Sequence, residues 1–501
     1  MNLVTTLFYR GCPISFSIIY MALRKFVVLF CLLAFPALSQ TIYQVNEVEK
    51  AAEPAGGLAM FNRFVLANLR IPIQSAAKGM NARVLIRGVV ETDGTMSGLA
   101  VARSLDSLCD AEALRIMNLY KAWKPASLQN QSVRQAVVYP VQFRTAPIPA
   151  YDSVQHAMIE YFDKNYQMVS DEKKFRYRNV IPVDRYGDVR ADILFQEKRS
   201  GDWKTVKAFP FIKNEIWVKL AGPVKMDSVK AYRISANMGN WESPSEEITR
   251  QPDGRLLSFV AYPGSGKLPA VRKSYYQSGM LKEERIAADS LVQVTSWYDN
   301  GQLGSVILID NKNRISVKEN WDTQGTMLVK EGNGMARIHA GTYRSKTVYD
   351  EGMVENGFKT GRWTGKLAIN DLVYEEFYES GKLTKGVRHT GGQPLEYTVD
   401  IVQPKFRAGP KEFFKLLRDH VNYMPPMNPS IGRPEGKLLI SFMVSEDGKL
   451  SDYSIDRGVA KHIDQQVLEV IKMTDGLWDP CIQKGMKISS RHTFPINFET
   501  N

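Results

Sequence analysis

Apolar residues recur at helical spacing in two stretches that lie far apart in the chain. In GGLAMFNRFVLANL, Phe61, Phe64, Val65 and Leu69 share one face of a helix. In PKEFFKLLRDHV, Phe413, Leu416, Leu417 and Val421 do the same. Pro72 and Pro426 follow, and each predicts where its helix stops. A strand pattern comes next, ARVLIRGVVE in one stretch and GKLLISFMVS in the other. Asp93-Gly94 and Asp447-Gly448 then supply a turn, because glycine tolerates the positive φ that tight hairpins need. The return strands end near Arg103 and Arg457. Second helices, AEALRIMNL and QQVLEVIKM, are expected with Asp110 and Asp464 as N-caps. Trp123 and Trp478 are placed to fold back onto the core. A last strand carries Val137–Phe143 or Thr493–Phe498.

The two stretches keep one register. Pro72 meets Pro426, Asp93-Gly94 meets Asp447-Gly448, Arg103 meets Arg457, Asp110 meets Asp464 and Leu114 meets Leu468. After one inserted residue, Trp123 meets Trp478, Pro125 meets Pro480, Pro140 meets Pro495 and Phe143 meets Phe498. Chance does not hold a register so long with a single slip. We read a duplicated domain of about 100 residues, a normal domain size. The order helix, hairpin, helix, strand predicts an α+β fold, a small three-stranded sheet with helices on one face. The copies span residues 40–147 and 393–501.

Between them the pattern changes. Residues 148–172 (YDSVQHAMIEYFDKNYQMV) predict a helical connector. Residues 173–265 predict mostly strands, such as NEIWVKLAG and SVKAYRISA, between Gly, Pro and Asp turns. A small sandwich and an extension of the following sheet are both open for that region. Residues 266–392 contain a second repeat. Tyr275–Gly279, Trp297–Gly301, Trp321–Gly325 and Phe377–Gly381 each read aromatic-x-x-x-Gly, with Leu281, Leu303, Met327 or Leu383 two places on. A period in the twenties marks stacked supersecondary units. Each unit reads as a β-hairpin with glycine at the turn and the aromatic packed on its neighbour.

Composition narrows the function more than the fold. A formal charge of +12 and 44% hydrophobic residues describe a basic globular chain. Lys and Arg are scattered, with no basic run interleaved with aromatics, so nucleic acid is not an expected partner. Arg24 and Lys25 precede the apolar run Phe26–Phe35, then Pro36 and the small-residue site Ala37-Leu38-Ser39. Residues 1–39 therefore predict a secretory signal, with Met21 as an alternative start and export to the periplasm. An uncleaved anchor is the rival reading, although the apolar run is short for a bilayer. Cys109 and Cys481 read as buried single thiols rather than a disulfide. Six isolated histidines form no ligand spacing, and no G-x-S-x-G elbow is present. YPGSGKLP (Tyr262–Pro269) departs from a phosphate loop and reads as a linker turn. The expectation is a non-enzymatic protein with no cofactor and no metal.

The combined pattern L/Y-x-P, strand, D-G, strand, D-x-x-A/V-L, W-x-P and P-V/I-x-F resembles the TonB C-terminal domain. The resemblance implies a periplasmic domain that grips a short extended peptide of an outer-membrane receptor. It covers the two ends of the chain only. The aromatic-x-x-x-Gly units resemble MORN-type repeats of the YwqK kind. Energy-transducing TonB proteins keep a membrane helix, often with a functional His, and a long Pro-rich spacer. Residues 21–39 hold no His, and the 24 prolines are dispersed. Pro140 and Pro495 place the last strand at a sheet edge, since proline lacks the N–H of an interior strand. Such an edge can accept a partner strand, or proline can be there to prevent pairing. Capture would be framed by Val138, Tyr139, Val141 and Phe143, and by Phe494, Ile496 and Phe498, although alternation sends about half of these into the core. The expected partners are envelope proteins or receptor peptides, with membrane contact only if residues 1–39 are retained. An inner-membrane energy transducer and an assembly protein pairing through edge strands are the alternatives.

Overall fold

The structure, a computed structural model, describes residues 41–221, 226–236, 245–262, 270–288, 290–343, 346–367, 370–389, 392–422 and 436–498. The secretory signal, the YPGSGKLP turn and the helix stop at Pro426 lie outside the described residues.

The N-terminal domain comprises β1 (Ile42–Tyr43), α1 (Gly57–Asn68), β2 (Met80–Val90), β3 (Met96–Arg103), α2 (Ser107–Leu119) and β4 (Gln131–Thr145). Its sheet runs β1-β4-β2-β3. Helix faces and strand faces meet in one core of Phe61, Phe64, Val84, Ile86, Ile116, Trp123, Val141 and Phe143. The C-terminal domain repeats the plan with α3 (Pro410–His420), β5 (Gly436–Val444), β6 (Leu450–Arg457), α4 (Lys461–Met473) and β7 (Ser490–Phe498). Its sheet runs β6-β5-β7, over a core that includes Phe413, Leu417, Ile440, Phe442, Val467 and Trp478.

Both Asp-Gly turns close in the same way. Gly94 N–H donates to Glu91 and Glu91 N–H to Thr95; Gly448 N–H donates to Ser445 and Ser445 N–H to Lys449. The glycines sit at φ 80° and 82°. A Cβ on Gly94 would lie 2.4 Å from the Trp123 carbonyl oxygen, and one on Gly448 2.2 Å from that of Trp478. The turn is therefore locked to the tryptophan that plugs the core, and only glycine fits. Gly448→Ala combines left-handed strain with a backbone clash. We expect it to cost about 2 kcal/mol or more, read as a lower unfolding midpoint of the full chain. An unchanged midpoint would show that the turn relaxes freely.

The N-caps differ from the expectation. Asp106 caps α2, accepting from Leu108 and Cys109 N–H, and Ala460 stands at the cap of α4. Asp110 and Asp464 lie one turn inside and reach back to the Leu105 and Val459 N–H groups. They hold the approach to the helix rather than its first turn. Cys109 and Cys481 are buried free thiols.

The helical connector is also corrected. Residues 148–172 contain the strands Tyr151–Asp152 and Ala157–Phe162, which join a five-stranded sheet running on to Phe209. Asp152 accepts from the Val154 and Gln155 N–H groups, and Asp163 from those of Asn165 and Gln167. These Asx turns break what reads in sequence as a helical period.

From Phe211 to Tyr397 the described residues form sixteen strands in sequence order, neighbouring strands antiparallel. The sheet crosses the boundary expected near residue 265 without a change of architecture. Gly279, Gly301, Gly325 and Gly381 occupy turns with positive φ. The Tyr276 hydroxyl donates to the Trp297 carbonyl, and the Tyr298 hydroxyl to that of Trp321, which ties each unit to the next.

Each end domain docks on this sheet. Helix α1 places Phe61 and Phe64 in its own core and Met60 and Ala67 against Trp297, Leu303 and Trp321. The Asn68 side chain accepts from Leu281 N–H at 2.7 Å, and Lys121 N–H donates to the Asn300 carbonyl at 2.8 Å. A Cβ on Gly325 would fall 2.2 Å from Gly56 N, so the two backbones are in direct contact there. The C-terminal domain inserts Lys484 into the far end of the sheet. Its ammonium pairs with Glu376, which is fully buried, and with Asp400 at 3.0 Å. The Tyr378 and Tyr397 hydroxyls also donate to Glu376. Close by, Asp350 accepts from Lys359 at 2.6 Å and from the Tyr374 hydroxyl.

Candidate functional site: the last strand of each end domain

The last strands have different surroundings in the two copies. In the N-terminal domain, β4 pairs with β2 from Gln135 to Thr145, placing Pro140 opposite Leu85. Its other side is partly occupied. Ile42 and Tyr43 lie parallel to Arg134 and Gln135 at its start; the fold-back of Ala126–Leu128 on Gln131–Val133 is common to both copies, as Cys481–Gln483 pair with Met486–Ile488. In the C-terminal domain, β7 pairs along its whole length with β5, placing Pro495 opposite Leu439. Among the described residues, no strand lies on its other side.

The difference follows from chain connectivity. Glu53–Pro54 pair with Trp123–Lys124, just as Lys405–Phe406 pair with Trp478–Asp479. Carried back in that register, the counterpart of Ile42–Tyr43 falls at the start of Leu395–Tyr397. That segment is already the sixteenth strand of the long sheet. In the C-terminal domain the corresponding lead-in is thus spent on the long sheet.

The expected site residues divide by alternation. Val141, Phe143 and Ile496 are buried in their own domain cores and cannot meet a partner. Tyr139, Phe494 and Phe498 are partly buried against those cores, and Val138 is exposed. Partner binding at such an edge rests on the strand's main chain, with side-chain specificity from whatever lines it.

Sequence reasoning missed one lining residue. Phe414, on α3, is 43% exposed although its neighbour Phe413 is fully buried. Its ring stands 6.0 Å from that of Phe494, beside β7. In the register that superposes Phe413 on Phe61, Asn62 takes its place in the N-terminal domain. The signal was present in the sequence: Phe413, Leu416, Leu417 and Val421 already make up the apolar face, which leaves Phe414 at its margin. His492 faces Phe442 and Trp478, and burial lowers its pKa.

Residues 67–145 and 426–500 each match the family described as Gram-negative bacterial TonB protein C-terminal. The chain thus carries this domain twice, at its two ends, and is associated with the cell envelope. No curated protein matches the chain. No helix among the described residues is long and apolar enough to cross a membrane.

Proposed function

We propose that this protein is a non-enzymatic envelope scaffold whose C-terminal domain captures an extended peptide by strand addition along Ser490–Phe498. The observation that carries this reading is the outer side of β7, along which no strand of the described residues lies, flanked by the exposed Phe414. An added strand would satisfy the main-chain groups of β7 and set alternate side chains against Phe414, Phe494 and Phe498. The N-terminal domain serves a different purpose. Its last strand is partly covered by Ile42–Tyr43, and its first helix is built into the repeat sheet, so it acts as a fixed end piece. The repeats, read as MORN-type units, are the rigid spacer between them. The expected setting is the periplasm, and the expected partners are receptor or other envelope peptides.

The test is selection of displayed random peptides on the full chain, followed by nuclear magnetic resonance titration of each selected peptide. Shifts concentrated in residues 490–498 and near Phe414 are expected. Peptides that instead perturb residues 134–145, or a selection that returns none, would overturn the assignment to the C-terminal copy.

A further inference from the structure

Where the N-terminal domain meets the middle of the chain, a cavity of about 210 Å³ is lined by five arginines: Arg70, Arg115, Arg185, Arg250 and Arg255. They come from four separate places. Arg70 follows α1 and Arg115 lies on α2, Arg185 sits in the turn after Pro182, and Arg250 and Arg255 flank the hairpin turn between Ser245–Arg250 and Leu256–Tyr262. Four of them have acidic partners. Arg70 pairs with Asp188 at 2.6 Å, Arg115 with Glu112 at 2.6 Å, Arg250 with Asp184 at 3.0 Å and Arg255 with Asp253 at 2.7 Å. Arg185 has no ion-pair partner among the described residues.

The geometry adds to this surplus of one charge. The guanidinium carbons of Arg70 and Arg185 stand 4.0 and 4.7 Å from the centroid of the same ring, that of Tyr186. Two cations on one aromatic ring repel; Asp188 offsets Arg70, which leaves the Arg185 charge to be balanced. Each guanidinium has five N–H donors, and the ion pairs above use only one or two of them. Backbone carbonyls take further N–H groups, that of Asn68 from Arg115 and that of Gln277 from Arg255, and Asp184 and Asp253 share the lining with the five arginines.

We propose that this cavity is a binding site for a phosphate group, free or carried as a phosphomonoester on a small molecule. Guanidinium forks bind phosphate oxygens in pairs, and donors arriving from separate elements suit a tetrahedral anion better than a planar carboxylate. The volume falls below the 300 Å³ or so at which drug-sized ligand sites begin, which restricts the occupant to a small anion. Because the arginines belong to the N-terminal domain and to the middle region, a bound phosphate clamps the two together.

Calorimetric titration of the full chain with inorganic phosphate, glycerol phosphate and acetate, at matched ionic strength, tests the site. Saturable binding of one equivalent of inorganic phosphate, with acetate much weaker, is expected. Comparable affinity for glycerol phosphate would point to an esterified source, and preference for the free ion to phosphate itself. Arg185→Gln removes a cation without orphaning a carboxylate and is expected to weaken phosphate binding about tenfold. No saturable heat with any phosphate, or equal binding of acetate, would overturn the proposal, as would full affinity in folded Arg185→Gln.

Discussion

Replacing Lys484 with methionine is expected to destabilise the junction between the C-terminal domain and the long sheet by about 3–5 kcal/mol. The ammonium is the cation that meets Glu376, a carboxylate with no exposed surface. Without it, the Tyr378 and Tyr397 hydroxyls are what remains among the described residues to hold that charge. Removing one partner of a buried pair leaves an uncompensated ion, which costs far more than the pair's net worth. The measurement is thermal or urea unfolding of the full chain, where the C-terminal domain should melt early. Adding Glu376→Gln should recover part of the loss, because it removes the orphaned charge. A loss under about 1 kcal/mol from Lys484→Met alone would show that water reaches Glu376.

The same cluster predicts a pH window. Burial works against the Lys484 ammonium, but the Glu376, Asp350 and Asp400 carboxylates outweigh it and raise its pKa. Burial also works against the Asp350 carboxylate, but Lys359 and Lys484 outweigh it and lower its pKa. A raised lysine contributes stability that is complete below its ordinary value and lost as pH rises through the folded one. A lowered aspartate contributes stability that is complete above its ordinary value and lost as pH falls through the folded one. The junction should therefore be firmest between about pH 4 and pH 10, the ordinary values of the two groups. It should loosen towards both extremes.

The second large effect concerns Phe414. Substitution by alanine should weaken capture of a selected peptide by about tenfold or more, as expected for an aromatic anchor at a binding site. It should cost stability far less than the same change at the fully buried Phe413, because Phe414 is 43% exposed in the free chain. Equal affinity in wild type and Phe414→Ala would confine recognition to the main chain of β7.

Much of this arrangement is legible in the sequence. Paired prolines, Asp-Gly turns and tryptophans in one register define the duplicated domain, and its two matches to the TonB C-terminal family bear that out. The positions of Pro140 and Pro495 point to a strand with an unpaired side. What the sequence hides is non-local. Nothing near Ile42–Tyr43 says that the segment lies beside Arg134 and Gln135, because that contact joins residues far apart in the chain. Nor does anything near Leu395 say that its segment is drawn into another sheet. The mistaken helix over residues 148–172 has a local cause: Asp152 and Asp163 turn the chain through side-chain to backbone bonds that a periodicity count does not register. The docking of α1 was hidden because Met60, Arg63 and Ala67 read as an ordinary outer face until Trp321 and Glu319 arrive from elsewhere.

Amide hydrogen exchange on the full chain, alone and with a selected peptide bound, tests the open strand most directly. Fast-exchanging amides should alternate with protected ones along Ser490–Phe498 in the free protein, and the fast ones should become protected when peptide is added. Uniform protection of that strand before any peptide is present would mean its outer side is already paired, contradicting capture there.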